Sequence, residues 1–326
     1  MKGKAFSVMF TAPGEVSLEA AQVTNNEPGP TQVTGRTLVS LVSTGTEVAI
    51  FRGIDLPPYP FNPGYASVFE VERVGASLAE TSIGDILLCL GPHRAWQAVD
   101  RAECVLVPKG LAPEVAVFAR IMSIGMSALF FVQARPPQGA LVLGLGLVGN
   151  LAAQVFRACG YRVRAYDPDQ HRRHLAASLG IEVIADPQKE LQAEAEPPAL
   201  ALECSGSGSG FRSACQMVRQ GGEVVLIGVP RKVSGEEMAS LLPEVFNRRL
   251  TIASGSEWRL PLDGGGYNGA SILRNMEVAL NWLLQSRVST KGIAESVSPL
   301  EVKHVFESLA GGTGPLSFIF DWRKSS

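Results

Sequence analysis

The sequence predicts an α/β fold in which a doubly wound parallel sheet is joined to a β-rich domain. Three observations support this prediction. An apolar run, 139–143, leads into three glycines at G-x-G-x-x-G spacing. Strand-like and helix-like segments alternate from there to about residue 266, as in a parallel sheet with crossover helices. Residues 1–112 instead contain short β-like runs punctuated by Gly and Pro.

The elements follow the chain in three segments. In 1–112 the β-like runs suggest a barrel-like domain. These runs are 5–10, 37–43, 67–74, 86–90 and 104–107. In 113–266 we predict helices 114–133, 150–159, 171–179 and 211–218, with strands 141–143, 162–166, 183–184, 200–203, 223–227 and 250–253. In 267–326 we predict helices 272–285 and 301–309 and a last strand, 316–322, that pairs back with the first segment.

Composition bounds the class of protein. The chain has 326 residues, of which 46% are hydrophobic and 18% charged, enough for a large core and two domains. The net charge is −2 and no basic run is present, so we expect no nucleic-acid partner. We also expect no membrane segment, a cytoplasmic location, and five reduced cysteines without C-x-x-C spacing.

The glycine run predicts a dinucleotide-binding site. Gly144 permits a tight turn after the strand, Gly146 lets the backbone approach a pyrophosphate, and Gly149 lets the next helix pack closely. Leu147 and Val148 begin that helix, whose N–H groups and dipole favour phosphate.

Asp167 predicts the choice of cofactor. It ends the second strand, about twenty residues beyond the glycines, where a carboxylate accepts hydrogen bonds from a ribose diol and repels a 2′-phosphate. We therefore expect NAD rather than NADP. Arg172 and Arg173 leave an alternative open, because a guanidinium there could bind a 2′-phosphate, while Arg172 could equally lie over the adenine.

Further motifs give a resemblance that covers essentially the whole chain. They are Gly84-Asp85, Glu203-Cys204-Ser205-Gly206 and the run from Gly221 to Gly228. With the predicted domains, they resemble the medium-chain dehydrogenase/reductase superfamily. The resemblance implies a GroES-like catalytic domain, a Rossmann domain and a homodimer that pairs through the strand near 250–253. It also implies cofactor contacts from Cys204, Ser205, Gly206, Ile227, Gly228 and Ser254.

A narrower likeness is to the bacteriochlorophyllide a dehydrogenase branch. It is similar in Ser-Thr-Gly-Thr-Glu at 43–47, Pro-Gly-Tyr at 63–65, the segment 253–258 and Phe-Asp-Trp at 320–322. Gly-Tyr-Ala stands at 64–66, however, where that branch has Gly-Tyr-Glu. These motifs therefore indicate a branch and not a substrate.

The zinc ligands of the superfamily are replaced in this chain. Thr44 stands at the position of a cysteine, Ala49 at that of a histidine, and Tyr65-Ala66 at that of His-Glu. A zinc ion that acts as a Lewis acid needs at least three converging ligands. Four scattered histidines do not provide them. We therefore expect no metal.

Four residues are candidates for handling the proton in place of zinc. Tyr65 could donate to or accept from a substrate oxygen, or merely fill the metal's volume. Thr46 matches a relay hydroxyl or caps a turn, and Glu47 matches an acid that could now hold Tyr65 or a backbone group. His93 is either an acid/base or a solvent-facing loop residue.

The resulting hypothesis is a zinc-independent NAD(H)-dependent oxidoreductase. It would interconvert a secondary alcohol and a ketone in a biosynthetic pathway. An epimerase or lyase that retains NAD, an NADPH-dependent enoyl or quinone reductase, and a non-catalytic NAD sensor are the alternatives. Asp167 argues against the NADPH-dependent one.

Overall fold

The computed structural model describes residues 5–21, 27–55, 57–192, 196–231, 235–264 and 269–324. The chain forms two units. The first comprises Met1–Arg120, Pro261–Ser286 and Gly292–Ser326, and the second Ile121–Leu260 and Arg287–Lys291.

The strands are numbered in chain order. They are β1 (Ala5–Ala12), β2 (Glu15–Ala21), β3 (Gln32–Leu41), β4 (Ser67–Val74), β5 (Ile86–Cys89), β6 (Trp96–Asp100), β7 (Cys104–Leu106), β8 (Gly139–Leu143), β9 (Arg162–Tyr166), β10 (Glu182–Val183), β11 (Leu200–Glu203), β12 (Glu223–Leu226), β13 (Thr251–Ser254), β14 (Ala294–Val297) and β15 (Ser317–Asp321).

The helices are numbered in the same way. They are α1 (Thr46–Phe51), α2 (Pro113–Ala116), α3 (Ala119–Ala128), α4 (Leu147–Ala158), α5 (Gln170–Ser178), α6 (Pro187–Gln192), α7 (Gly208–Met217), α8 (Gly235–Asn247), α9 (Ile272–Leu284) and α10 (Val302–Gly311). No helix of the described residues is both long and apolar enough to cross a bilayer.

Strand β3 organises the first unit. The larger sheet has the order β14-β15-β3-β4-β5-β7, and β6 also pairs with β3, while β1 and β2 form a separate hairpin. Most of β3 is buried, so its sequence is a nearly continuous apolar and small-residue run rather than an alternating one. β15 pairs antiparallel with β3, placing Phe320 opposite Ser40, which brings the last strand onto residues near the start of the chain.

An aromatic cluster lies under this sheet. Phe10 contacts Phe51 and Phe306 with ring centroids 5.7 and 4.8 Å apart, and Phe320 continues the cluster. All four rings are buried. Side chains from β1, α1, α10 and β15 therefore stabilise the unit jointly, mainly by removing apolar surface from water.

The second unit is a Rossmann domain, as predicted. Its parallel sheet has the order β10-β9-β8-β11-β12-β13, so the sequence order reverses next to β8. Leu143 pairs with Tyr166 on one side and Glu203 on the other, which aligns the carboxyl ends of these strands at one edge. Ligands of such sheets bind at this edge, next to the point of reversal.

Several local predictions differ from the structure. The predicted helix 114–133 is two helices, α2 and α3, and α2 packs against β3 and α9, which places 113–120 in the first unit. The predicted boundary at residue 266 lies outside the described residues. α8 was not predicted because Pro243, which interrupts helical hydrogen bonding, lies inside it. β2, β6 and β14 alternate too weakly to stand out by sequence, and they form through pairing with their neighbours.

Candidate functional site: a glycine loop and a buried polar cluster

The glycine loop of the second unit joins β8 to α4. Gly144 has a positive φ of +93°, and a Cβ there would lie 2.8 Å from the Ser205 backbone nitrogen. A Cβ on Gly149 would lie 1.8 Å from the Gly144 carbonyl oxygen. At Gly146 the nearest atom to such a Cβ is a guanidinium nitrogen of Arg172, 3.9 Å away. Gly144 and Gly149 are therefore required by the loop itself, while Gly146 has room for a ligand.

The N-terminus of α4 follows the loop. Gly146 is the N-cap residue, and no side chain of the described residues caps the first turn. Leu147 is buried and anchors the helix, while Val148 is half-buried. Uncapped N–H groups and the helix dipole form a site for an anion. The glycine loop thus fits the pyrophosphate of a dinucleotide.

Asp167 lies beside this loop, just after β9. Its side chain is buried, with one oxygen accepting from the Leu145 N–H at 2.7 Å and the other from the Asp169 N–H at 2.9 Å. A carboxylate therefore lies against the turn between Gly144 and Gly146, where it would repel another negative group.

Two arginines of α5 lie near Asp167 but differ in their partners. Arg173 donates to the carbonyl oxygens of Asp167 and Pro168 at 2.5 and 2.9 Å, so it is bound to the backbone. Arg172 has a guanidinium nitrogen 3.6 Å from the Asp167 carboxylate and is partly exposed. Of the two, Arg172 is the residue that faces the glycine loop.

A second turn follows β11. The buried Glu203 carboxylate accepts hydrogen bonds from the Ser205 N–H at 2.8 Å, the Ser205 hydroxyl and the Gly206 N–H at 3.0 Å. Burial raises the pKa of Glu203 above its usual range, although these hydrogen bonds oppose the shift. Glu203 therefore holds the turn that contains the predicted cofactor residues Cys204, Ser205 and Gly206.

The end of β12 packs against this turn. A Cβ on Gly228 would lie 2.6 Å from the Gly206 nitrogen, so the two segments approach at backbone distance. Burial, assisted by Glu203, raises the pKa of the Cys204 thiol well above its usual range and keeps the thiol protonated. Ile227 is half-buried beside Gly228, and Ser254 ends β13 with an exposed side chain opposite Leu226.

In the first unit, the structure joins two predicted residues in a buried pair. The His93 Nε2 lies 2.7 Å from a carboxylate oxygen of Glu47, and both side chains are buried. The other carboxylate oxygen accepts from the Ser43 N–H at 2.9 Å. His93 Nδ1 lies 2.7 Å from the Ser40 hydroxyl. Both ring nitrogens of His93 are therefore bonded within the protein.

The pair is enclosed by aromatic side chains and by Gly64. Trp322 donates its indole N–H to the Ser40 hydroxyl at 2.9 Å, and Phe320 packs edge-on against His93 at 5.2 Å. A Cβ at Gly64 would lie 2.6 Å from the His93 backbone nitrogen. His93 is 0% exposed. The alternative of a solvent-facing loop histidine is therefore wrong, because this loop folds inward against β15.

Tyr65 lies at the other side of Ser43. Its hydroxyl donates to the Ser43 hydroxyl, and the Arg120 guanidinium lies over its ring at 4.9 Å from the centroid. Tyr65 is half-buried, whereas Arg120 is buried.

Of the two roles predicted for Glu47, the hydrogen bond to a backbone group is present, while its side-chain partner is His93 rather than Tyr65. Thr46 begins α1 and is half-buried.

Known proteins are similar to this chain in sequence. A family model described as zinc-binding dehydrogenase matches residues 148–259. An alcohol dehydrogenase of Geobacillus stearothermophilus is 25% identical over 303 residues, covering 78% of this chain and 81% of that protein. These matches support the resemblance to the medium-chain dehydrogenase/reductase superfamily and an oxidoreductase of that type.

Solved structures share the fold along nearly the whole chain. A protein from Sinorhizobium meliloti 1021 described as a putative zinc-binding dehydrogenase, bound to NADP, has a TM-score of 0.79 at 16% identity, covering 98% of this chain and 100% of that one. Acetophenone reductase from Geotrichum candidum, in complex with NAD, has a TM-score of 0.80 at 16% identity, covering 98% of each chain. At these identities the likeness concerns the fold alone.

The positions that the resemblance assigns to zinc ligands hold other side chains in this chain. Thr44 lies in the turn before α1, Ala49 is buried within that helix, and Ala66 is buried after Tyr65. Among the described residues, no group of three or more His, Cys, Asp or Glu side chains could hold a metal ion. The residues present at these positions therefore do not fit the zinc site of the superfamily.

Some residues of the cluster were not predicted as part of a site. Ser40 and Trp322 are 282 positions apart and Tyr65 lies 22 from Ser43, so spacing alone carries no signal for these contacts. Ser43 and Trp322 do occur in the shared motifs 43–47 and 320–322. Those motifs were the available signal, and they did not show which side chains meet.

Proposed function

We propose that this protein is a zinc-independent oxidoreductase that uses NAD(H) to interconvert a secondary alcohol and a ketone. The observation that carries the proposal is Tyr65, which stands at a zinc-ligand position of the superfamily with its hydroxyl bonded to Ser43. A substrate oxygen that exchanges its proton needs a group of this kind when no metal is present. The biosynthetic role rests on the likeness of 43–47 and 320–322 to the bacteriochlorophyllide branch.

The glycine loop supports a nicotinamide dinucleotide as cofactor. The α4 N-terminus and the space at Gly146 would hold the pyrophosphate, and the turn 204–206 with Gly228 would lie at the nicotinamide end, as the superfamily resemblance implies. When bound, the cofactor supplies the hydride acceptor or donor. Of the two solved structures of this fold described above, the Sinorhizobium meliloti protein holds NADP and acetophenone reductase holds NAD.

Asp167 supports NAD over NADP. Its buried carboxylate lies against the loop turn, and a 2′-phosphate brought there would meet a like charge. Arg172 lies 3.6 Å from that carboxylate and is the group through which NADPH could still bind. Fluorescence titration with NADH and NADPH tests this preference, and tighter NADPH binding would favour the enoyl or quinone reductase alternative.

Tyr65 supports the proton step. Its hydroxyl is bonded to Ser43 and its ring lies under the Arg120 guanidinium, a cation that favours the ionised phenol. His93 has both nitrogens bonded inside the protein, so a direct proton exchange with substrate is assigned to Tyr65. Thr46 and Glu47 are not assigned the proton step. Glu47 is connected to Tyr65 only through Ser43, whose N–H it accepts from.

The central experiment is Tyr65→Phe. It keeps the ring and removes the hydroxyl, so turnover of 1-phenylethanol with NAD should fall by about 10² to 10⁴ fold while NADH affinity stays near wild type. Tyr59→Phe is the matched control, because that hydroxyl donates to the Ile50 carbonyl in the same unit. Full turnover by Tyr65→Phe would make Tyr65 a space-filling residue.

Zinc independence has a separate test. Elemental analysis of protein purified without chelators should show much less than one zinc per chain, and turnover should survive dialysis against a chelator. One zinc per chain with activity lost on its removal would overturn this part of the proposal.

We also propose a homodimer, formed through β13 at the edge of the parallel sheet. In the described sheet β13 pairs with β12 on one side, and its Ile252 is exposed, as is Trp258 shortly after it. An edge strand with exposed apolar side chains is suited to pairing with a second copy. Sedimentation of the purified chain, with Ile252→Lys as the disrupting variant, measures the mass directly.

A further inference from the structure

The buried pair of Glu47 and His93 holds the backbone of Ser43 in place and does not exchange protons with a substrate. Both side chains are almost fully inaccessible, and His93 packs against Phe320 and Gly64. Each nitrogen of the imidazole and each oxygen of the carboxylate has a partner inside the unit. A group that has no exposed atom cannot contact a substrate oxygen at hydrogen-bond distance.

The donors and acceptors can be assigned along this cluster. The Trp322 indole can only donate, so the Ser40 oxygen accepts from it and is able to give its own hydrogen to His93 Nδ1. In that arrangement His93 carries its hydrogen on Nε2 and donates it to Glu47. Every donor and acceptor of the cluster is then satisfied.

The cluster ends at Ser43, which uses two different atoms. Its backbone N–H donates to Glu47, while its hydroxyl oxygen accepts from Tyr65. A proton cannot pass from the hydroxyl to the amide nitrogen, so the cluster does not form a continuous proton path. The cluster instead fixes the position of Ser43, because the buried Glu47 carboxylate holds the Ser43 backbone next to the Tyr65 hydroxyl.

We propose that Ser43 is a positioning residue for Tyr65, anchored by the Glu47–His93 pair. The inference rests on the proposed function, in which Tyr65 exchanges a proton with the substrate. A serine hydroxyl both donates and accepts. When Ser43 accepts from Tyr65, the phenol keeps its proton and takes none from a substrate alcohol; the base toward an alcohol is the phenolate, to which Ser43 donates. When Ser43 donates, the phenol hydrogen can turn toward a ketone oxygen.

Arg120 and a donating Ser43 hydroxyl both stabilise the ionised form of Tyr65. Arg120 of α3 lies over the ring and favours the phenolate, and a hydrogen bond donated by Ser43 to the phenolate would be charge-assisted. The carboxylate of Glu47 in α1 opposes the phenolate. It is bonded to the Ser43 N–H and to His93, and not to Tyr65 itself. Loss of the Ser43 hydroxyl therefore costs the phenolate more than the phenol.

The test compares Ser43→Ala with Ser43→Thr. Alanine removes the hydroxyl and leaves the N–H to Glu47, whereas threonine restores the hydroxyl. Ser308→Ala is the control, since that hydroxyl donates to the Thr313 carbonyl at the end of α10, elsewhere in the unit. The first readout is the titration of Tyr65 by tyrosinate absorbance, with Tyr65→Phe as the blank. We expect Ser43→Ala to raise the midpoint by about one pH unit and Ser43→Thr to restore it.

The second readout is steady-state oxidation of 1-phenylethanol with NAD. We expect Ser43→Ala to lower kcat roughly tenfold with KM and NADH affinity little changed, and Ser43→Thr to recover most of the loss. An unchanged Tyr65 midpoint in Ser43→Ala, or no recovery with threonine, would overturn the proposal. If Ser43→Ala does not fold, Ser43→Cys, a weaker donor and acceptor, should shift the midpoint in the same direction.

The two readouts separate this proposal from the proposed function. The Tyr65 titration needs neither cofactor nor substrate. If the wild type binds no NADH and oxidises no alcohol, the dehydrogenase function fails, while the titration still decides whether Ser43 controls the phenol.

Discussion

The two units of this protein differ in what makes their candidate sites. In the second unit, the Rossmann domain, the site is formed mainly by backbone, namely the glycines of the loop and the N–H groups of α4. Two carboxylates, Asp167 and Glu203, support it by accepting hydrogen bonds from N–H groups of the turns. In the β-rich unit the site is a set of side chains gathered from distant parts of the chain, such as Ser40 and Trp322. The first kind depends on local spacing and the second on strand pairing.

This difference determines how each site fails. A backbone site is damaged by adding atoms, because its glycines meet neighbouring backbone at contact distance. A buried side-chain cluster is damaged by removing atoms, because each deletion leaves a donor or an acceptor without a partner.

Removing the buried carboxylate of Glu47 should be the most severe change. Glu47→Ala leaves two buried donors, the Ser43 N–H and the His93 Nε2, without their acceptor, so we expect the first unit to lose about 2–5 kcal/mol of stability. Urea unfolding measures this loss. Glu72→Ala is the control, because its partly exposed carboxylate lies 3.9 Å from Arg36 and should change stability by less than about 1 kcal/mol. Equal effects of the two variants would mean that the cluster does not stabilise the unit.

Adding one methyl group should damage the glycine loop. Gly149→Ala places Cβ against the Gly144 carbonyl oxygen, which is backbone and cannot rotate away, so we expect NADH to bind about 10 to 100 times more weakly. In Gly235→Ala the new Cβ meets no atom within 4 Å, so this control should bind NADH as wild type does. Fluorescence titration of both variants gives the comparison, and unaltered binding by Gly149→Ala would remove this loop from the cofactor site.

The charge beside the loop should set cofactor preference. Asp167→Ser removes the buried carboxylate and leaves Arg172 without that partner, so NADPH affinity should rise about tenfold relative to NADH. Asp169→Ser keeps a helix cap for α5 while removing a neighbouring charge, and it should leave the preference unchanged. A preference that moves equally in both variants would show that net charge, and not the position of Asp167, selects the cofactor.

The smallest effect concerns the pH dependence of the second unit. Because burial raises the pKa of Glu203, the folded state holds its proton to higher pH than the unfolded chain does. The free energy of unfolding should therefore decrease as the pH rises from the pKa of an ordinary glutamate to the raised pKa of Glu203. In Glu203→Gln this fall should be absent, and unfolding measured across that interval compares the two. A wild type that becomes more stable over the same interval would contradict the direction of the shift.

Prediction from sequence succeeded where chemistry follows from neighbours in the chain. Gly144, Gly146 and Gly149 lie within six positions, and their roles follow from the conformation of one turn. The strands β9 and β11 were predicted at their observed bounds because each is a short apolar run flanked by turn residues. The helix 114–133 was predicted as one element because a break between two apolar helices leaves little trace in the sequence pattern.

Prediction was right about a backbone partner for Glu47, the Ser43 N–H, and wrong about its side-chain partner. The sequence offered a carboxylate without its usual histidine, and Tyr65 was the nearest candidate partner at the substituted position. The actual partner, His93, lies 46 positions away on a loop between β5 and β6. Which loop residue turns inward depends on the packing of Phe320 and Gly64 around it, and neither is its neighbour in sequence.

The amino-acid sequence by itself determined the alternation of strands and helices, the glycine loop and the carboxylate at the end of β9, since all of these are properties of spacing and residue type. Tertiary structure alone decided that His93 is buried against Glu47 and that Ser43 joins this pair to Tyr65. The physical reason is that β15 must pair with β3 before Trp322 reaches Ser40, and contacts across such separations arise only when the whole sheet forms.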